Sequence, residues 1–194
     1  MSYSAPLLIG VSGASGVIHA IRLLEITHKI DDLKTALVIS KAAERTLKLE
    51  TDYKLADLYK LTDTIYPPKD IGAKIASGSY VTRGMIIAPC SIKTMSELAY
   101  GLTDSLITRA ADVCLKERRP VILGVREMPL HTGHLRSMTQ LSEMGAIIAP
   151  PLPAFYHGAP SVIDMVDQIC MRWLSLVGID LPEKKVWLSE ENSI

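Results

Sequence analysis

Several features that assign a protein to a class at once are scarce in this sequence. The three cysteines, Cys90, Cys114 and Cys170, are odd in number and widely spaced, which argues against a disulfide framework or a zinc site. No apolar run reaches the roughly 18 residues that a membrane span needs. The first residues also lack the basic and long apolar stretches of a signal peptide. We therefore expect a cytoplasmic protein without a membrane partner.

Charge of one sign and aromatic residues are scarce as well. The 21 Lys and Arg residues balance the 21 Asp and Glu residues, so bulk charge gives no argument for binding nucleic acid. The sequence holds only two Trp, seven Tyr and one Phe, so aromatic rings are few. The five histidines show no metal-ligand spacing, and no acidic cluster of the D-D-x-x-D type is present. We expect no metal.

What the sequence does contain is a regular alternation of strand-like and helix-like segments. Apolar runs typical of strands occupy 7–11, 36–39, 85–88, 121–125 and 146–149. Segments with helical periodicity lie near 16–30, 41–50, 91–101, 104–117, 131–144 and 161–177. This alternation predicts one α/β domain over residues 1–194, a three-layer structure with a mostly parallel sheet between helices. The C-terminal tail, about 183–194, is expected to be peripheral. Ligands of such sheets bind beyond the carboxyl ends of the strands.

A turn rich in Gly and Ser, from Gly10 to Gly16, joins the first predicted strand to the first predicted helix. Glycines allow the backbone to approach an oxyanion, and the N-terminus of a helix attracts one. The glycine spacing matches neither the dinucleotide fingerprint nor the P-loop. The turn is therefore equally consistent with a phosphate-bearing ligand and with a tight strand–helix corner.

A second junction rich in hydroxyl groups follows the third strand, from Pro89 to Thr94. Ser91 is a candidate N-cap of the next helix, and capping alone could explain it. Two such junctions at the ends of different strands support an anion or cofactor site more strongly than either does alone. Cys90 is interpreted as a small buried residue, because no histidine lies near it in the sequence.

Charged residues near the ends of other elements are further candidates. Arg109 and Lys116 are seven residues apart, so they share one helix face and suit a second phosphate, although a solvated charged face is the simpler alternative. Arg126 and Glu127 follow a strand, where they could pair with each other, or Glu127 could act as a general acid or base. Glu50 ends a helix and is the other carboxylate candidate, although such residues are usually solvated.

Two candidates lie in the C-terminal part of the chain. The proline-rich segment 150–153 is rigid and leads to Tyr156, which could donate a hydrogen bond to a ligand oxygen. Arg172 is flanked by apolar residues on a predicted helix, so it either extends to solvent or points into the site. The segment 76–79 is interpreted as a flexible loop that could cover a site.

Together these segments resemble the UbiX-type flavin prenyltransferases, from Ile9 to about Pro182. The residues that carry the resemblance form ordered blocks along the chain. They are 12–16, 40–43, 50–52, 89–91, Thr94, 109–113, 116–120, 126–127, 129–130 and 153–157. So many matches in order are far more specific than any single motif.

The resemblance implies a Rossmann-like homododecamer that transfers a dimethylallyl group from dimethylallyl monophosphate to N5 and C6 of reduced FMN. The product, prenyl-FMN, is the cofactor of UbiD-type decarboxylases. FMN would be held by Gly13, Ala14, Ser15, Ser40, Ser91, Ile92, Lys93, Thr94 and Arg126. The prenyl phosphate would be held by Arg109, Lys116, Tyr156 and Arg172, some of them from a neighbouring subunit. The catalytic residues, which would assist proton movement and phosphate departure, would be Ser15, Glu50, Glu127 and Lys116.

The sequence departs from the family pattern at His19, where relatives often carry Tyr, and at Gly158 and Ala159. Two alternative functions remain on the same fold. A non-catalytic FMN carrier or accessory subunit of a decarboxylase would need only the flavin-binding residues. An FMN-dependent cysteine decarboxylase would need a P-x-M-N-x-x-M-W segment, which residues 151–156 do not contain.

Overall fold

The computed structural model describes residues 5–182, without the side chain of His157. The predicted peripheral tail, 183–194, lies outside the described residues. No helix in the described range is long and apolar enough to cross a membrane. The strands are β1 (Leu7–Val11), β2 (Thr35–Ile39), β3 (Thr64–Tyr66), β4 (Gly84–Cys90), β5 (Val121–Val125) and β6 (Ile147–Ile148). The α-helices are α1 (Ile18–Thr27), α2 (Lys41–Glu50), α3 (Leu55–Lys60), α4 (Ile92–Ala99), α5 (Leu106–Lys116), α6 (Thr132–Glu143) and α7 (Val162–Leu176).

The six strands form one parallel sheet in the order β3-β2-β1-β4-β5-β6, which confirms the predicted fold class. The chain proceeds from β1 to β2 on one side and later returns to β4 on the other side of β1. The topological switch therefore lies between β1 and β4, and a crevice for ligands is expected above their carboxyl ends.

Helices cover both faces of the sheet, so its central strands are buried on both sides. Because side chains alternate along a strand, Leu7 and Ile9 pack with α1 and α7 on one face, where Trp173 is also buried. Leu8 faces the opposite layer, which contains α4 and α5 and includes the buried Ile107. The strands therefore consist of nearly continuous apolar residues, as parallel sheets require.

Residues 51–80, for which the sequence predicts no regular element, contain three short ones: α3, β3 and a 3-10 helix, Lys74–Ala76. Strand β3 has three residues at the sheet edge and is largely exposed, so it carries little apolar pattern. The segment 76–79, predicted to be a flexible loop that could cover a site, begins in the 3-10 helix Lys74–Ala76 and is a loop from Ser77 onward. The Arg119 guanidinium donates to the carbonyl oxygens of Gly78 and Tyr80, both at 2.8 Å, and holds the loop at the amino edge of the sheet.

Candidate functional site

Ser12 joins the carboxyl ends of β1 and β4 at the topological switch. Its buried hydroxyl donates to the carbonyl oxygen of Pro89 at 2.9 Å and accepts the N–H of Ser91 at 2.7 Å. Its own backbone N–H also donates to the Pro89 carbonyl, at 3.2 Å. The two Gly/Ser-rich junctions thus form one unit. The sequence placed Ser12 in the turn but gave no sign that it bonds to the second junction.

The three glycines of the turn are explained by close packing and backbone conformation. A Cβ at Gly13 would lie 2.3 Å from the Cβ of Ala42 in α2, and one at Gly10 would lie 2.8 Å from the Met85 Cε. Gly16 has a φ of +95°, which side chains rarely adopt. Of the two interpretations left open by the sequence, the tight strand–helix corner therefore accounts for the glycines.

The N-terminus of α1 is occupied by a carboxylate from a distant part of the chain. One oxygen of Glu50 accepts the N–H of Gly16 at 2.8 Å and that of Val17 at 3.1 Å. The hydroxyl of Ser15 lies close enough to the Glu50 carboxylate to help lower its pKa. Helix α1 has no side-chain cap of its own, so Glu50 caps it from the end of α2. Although exposed, Glu50 is therefore not simply a solvated helix-end residue.

These contacts also set the charge of Glu50. Partial burial raises its pKa, but the hydrogen bonds from Ser15, Gly16 and Val17 and the charge of Arg126 together lower the pKa below the ordinary glutamate value. Glu50 is therefore ionised at neutral pH. Arg126 follows directly after β5, and its backbone N–H donates to the Cys90 carbonyl at 3.0 Å. The ends of α2, β4 and β5 thus converge near one crevice.

Two further helices begin at this edge of the sheet. The Ser40 hydroxyl caps α2 by accepting the Ala43 N–H at 3.1 Å. The Ser91 hydroxyl caps α4 by accepting the Thr94 N–H at 3.3 Å, and it donates to the Thr94 hydroxyl at 3.2 Å. Backbone N–H groups in the first turn of α4 have no carbonyl one turn earlier in the helix, so they suit an anion. In α4 these N–H groups are those of Ile92 and Lys93.

The predicted flavin-binding residues therefore follow the ends of adjacent strands. Gly13, Ala14 and Ser15 follow β1, Ser40 follows β2, the residues from Ser91 to Thr94 follow β4, and Arg126 follows β5. The Lys93 ammonium pairs with Glu97 at 2.6 Å.

Arg109 and Lys116, predicted to hold the second phosphate, lie on α5 instead. This helix starts at the carboxyl edge, where the Leu106 N–H donates to the Pro68 carbonyl just beyond β3. It ends at the amino edge, where Lys116 lies beside Gly78. The separation of Arg109 and Lys116 along the helix is about 10 Å, from 1.5 Å per residue. A single protomer thus places Lys116 at the edge of the sheet opposite the crevice.

Arg172 lies at the carboxyl edge, because α7 runs antiparallel to α1 and reaches that edge near Trp173. The Trp173 indole N–H donates to the carbonyl of Ala149, just beyond β6, at 3.0 Å, and its ring contacts His19 near the start of α1. The Arg172 guanidinium donates to the Ser175 hydroxyl at 3.3 Å. Tyr156 lies in the 3-10 helix Phe155–His157 and is 51% exposed.

Glu127 faces solvent in the protomer. Its carboxylate accepts the N–H of Met128 at 3.0 Å, and Met128 is itself 87% exposed. The simple ion pair between Arg126 and Glu127 is not among those formed by residues 5–182.

The chain is similar to several known proteins. The model of the Flavoprotein family matches residues 1–174. The flavin prenyltransferase UbiX of Escherichia coli K12 is 53% identical over 177 residues, which cover 91% of this chain and 94% of that protein. The crystal structure of AnUbiX (PadA1) in complex with FMN and dimethylallyl pyrophosphate has a TM-score of 0.92 and 40% identity, with 95% of this chain and 98% of that chain covered. A dodecameric FMN-dependent UbiX-like decarboxylase from Escherichia coli O157:H7 has a TM-score of 0.91 and 42% identity, with 95% and 100% covered.

Proposed function

The chain belongs to the Flavoprotein family, among the UbiX-type flavin prenyltransferases, and from that premise we propose which residues carry the reaction and which donor they accept. The enzyme transfers a dimethylallyl group to FMN to make prenyl-FMN. Reduced FMN supplies the nucleophilic N5 and C6 atoms when bound. The observation that carries the residue assignment is the cluster of Ser15, Glu50 and Arg126 above the switch point.

The crevice fits FMN because it offers several hydrogen-bond donors and one guanidinium group. Hydroxyls of Ser91 and Thr94 lie beside the first-turn N–H groups of α4, which suit a phosphate dianion. Arg126 adds a positive charge at the end of β5. Together with these groups, the remaining flavin contacts are assigned to Gly13, Ala14, Ser15, Ser40, Ile92 and Lys93.

Ser15 and Glu50 are assigned to proton transfer. Bond formation at N5 and C6 displaces a proton from each atom, and closure of the ring at C6 also requires one proton to be added to the alkene carbon of the prenyl group, so a group that can both accept and return a proton is needed. The hydroxyl of Ser15 lies near the ionised carboxylate of Glu50 and is assigned to take up a proton while passing its own to Glu50. The lowered pKa keeps Glu50 in the basic form at neutral pH.

The donor is dimethylallyl monophosphate, and its phosphate leaves with the electron pair of the broken C–O bond. Fixed positive charges and a phenol can meet the growing negative charge without a metal. The residues assigned to this task are Arg109, Lys116, Tyr156 and Arg172, here called the phosphate clamp. Glu127 is assigned to assist phosphate departure.

The positions of these residues support a site shared between protomers. Lys116 lies at the amino edge of its own sheet, so it reaches a flavin crevice only in a neighbouring copy. A homododecamer like that of the UbiX-like decarboxylase would supply such a neighbour. The product is assigned as the cofactor of a UbiD-type decarboxylase.

The test is anaerobic incubation of the protein with reduced FMN and dimethylallyl monophosphate, followed by mass spectrometry of the extracted flavin. A prenyltransferase adds one C5H8 unit and releases inorganic phosphate in equal amount. A parallel reaction with oxidised FMN is the control and should give no product. Flavin recovered at unchanged mass from the reduced reaction would indicate a carrier instead.

A further inference from the structure

Two of the three cations in the phosphate clamp have a carboxylate beside them on the same helix. The Arg109 guanidinium pairs with Asp112, one turn later on α5, at 2.9 Å. The Lys116 ammonium pairs with its neighbour Glu117, which ends the same helix. Arg172 differs, because it donates to the uncharged hydroxyl of Ser175.

The second pair is held in place by its surroundings. A Cβ at Gly78 would lie 2.1 Å from the Glu117 Oε1 and 2.6 Å from the Lys116 Nζ, so both side chains lie directly against this loop. The Arg119 guanidinium fixes this loop by donating hydrogen bonds to the carbonyl oxygens of Gly78 and Tyr80. The hydrogen bond from Lys116 and its charge lower the pKa of Glu117, so the carboxylate stays ionised near Lys116 at neutral pH.

The first pair lies on a helix that is itself firmly anchored. Helix α5 buries Ile107, Ala110 and Cys114 against the sheet, which fixes the direction in which Arg109 and Asp112 project. Because both residues are on one helix, a ligand that binds Arg109 must also approach Asp112. The negative charges of Asp112 and Glu117 therefore contribute to the electrostatic potential at the clamp.

We propose that Asp112 and Glu117 determine the donor specificity of the enzyme by cancelling part of the clamp's positive charge. This inference rests on the proposed function, because it assumes that Arg109 and Lys116 bind the prenyl phosphate. With two of three cations offset, the clamp suits the charge of a monophosphate ester. A diphosphate ester carries additional negative charge, which the two carboxylates repel. Asp112 and Glu117 act through Arg109 and Lys116 and are positioning residues.

The experiment compares Asp112→Asn and Glu117→Gln with the unmodified protein in anaerobic prenylation assays. The kcat/KM values are measured for dimethylallyl monophosphate and dimethylallyl diphosphate. Each variant should raise the ratio of diphosphate to monophosphate kcat/KM about fivefold, since one charge acts on another several ångströms away in a partly solvated site. The double variant should raise the ratio further. A purely structural effect would lower both kcat/KM values and leave their ratio unchanged.

A matched control is available on α3, which no part of the proposed site uses. Asp57 pairs with Lys60 at the same three-residue spacing, and Asp57→Asn also removes one negative charge. This control should leave the donor ratio unchanged. An unchanged ratio in both Asp112→Asn and Glu117→Gln would overturn the inference, as would an equal increase in the control.

A binding measurement separates this inference from the proposed function. Titration calorimetry with inorganic phosphate and pyrophosphate, on FMN-loaded protein, needs no turnover. The two variants should gain affinity for pyrophosphate relative to phosphate by a similar factor. If the unmodified protein transfers no prenyl group from either donor, the proposed function is contradicted. If the variants have the same ratio of pyrophosphate to phosphate affinity as the unmodified protein, only the inference is contradicted.

Discussion

The carboxylate of Glu50 accepts the backbone N–H of Gly16 at 2.8 Å, and thereby joins the last residue of α2 to the turn that precedes α1. The contact spans 34 positions of the sequence. It places an ionised carboxylate where the sequence suggested a phosphate. The backbone N–H groups of Gly16 and Val17 are therefore already hydrogen-bonded to a side chain of the protein.

Replacement of Glu50 by Gln tests both the cap and the base. We expect a loss of about 1 kcal/mol in unfolding free energy at pH 7, because an amide caps less well than a carboxylate. Prenyl transfer should fall at least tenfold while FMN still binds, because the proton acceptor is lost. Urea unfolding, FMN fluorescence and single-turnover assays measure the three quantities.

The stability effect of Glu50→Gln should depend on pH in a defined direction. The folded-state pKa of Glu50 is lowered, so its contribution is present above the unfolded glutamate pKa of about 4.3 and is lost as the pH falls through the folded value. The difference between the two proteins should therefore shrink in acid. A difference that stays constant from pH 7 to pH 3 would contradict the assignment.

Ser12→Ala should weaken the connection between β1 and β4. The change removes the buried hydroxyl that accepts the Ser91 N–H and donates to the Pro89 carbonyl. We therefore expect the free energy of unfolding to fall by about 1–3 kcal/mol. FMN affinity should fall as well, because Ser91 begins α4. Ser79→Ala in the exposed loop is the control and should change neither quantity.

The sequence predicted the parallel sheet correctly because buried strands are recognisable as local apolar runs. Strand β3 was missed because its three residues are largely exposed and carry no apolar pattern. The roles of Ser12 and Glu50 as links could not be predicted, since they depend on contacts between segments far apart in the chain. The position of Lys116 at the opposite edge likewise follows from the direction of α5, which periodicity does not give.

Gly13→Ala tests the claim that packing, and not a ligand, requires this glycine. The new Cβ would meet the Cβ of Ala42, so we expect a loss of about 1–3 kcal/mol. Combining it with Ala42→Gly should restore part of that stability, which a thermodynamic cycle measures directly. Gly72→Ala, whose nearest neighbour would be 3.6 Å away, is the matched control and should be nearly neutral.

Mixed assemblies test whether Lys116 acts in a neighbouring protomer. Lys116→Ala and Glu50→Gln should each be nearly inactive alone, because each removes a different part of every site. When equal amounts are dissociated and reassembled together, some sites combine an intact crevice with an intact neighbouring lysine. Random mixing should then restore about a quarter of the unmodified activity, because each of the two copies that form a site has the required subunit type half of the time. Mixtures that stay inactive, although subunit exchange is verified by mass spectrometry, would show that Lys116 serves its own protomer.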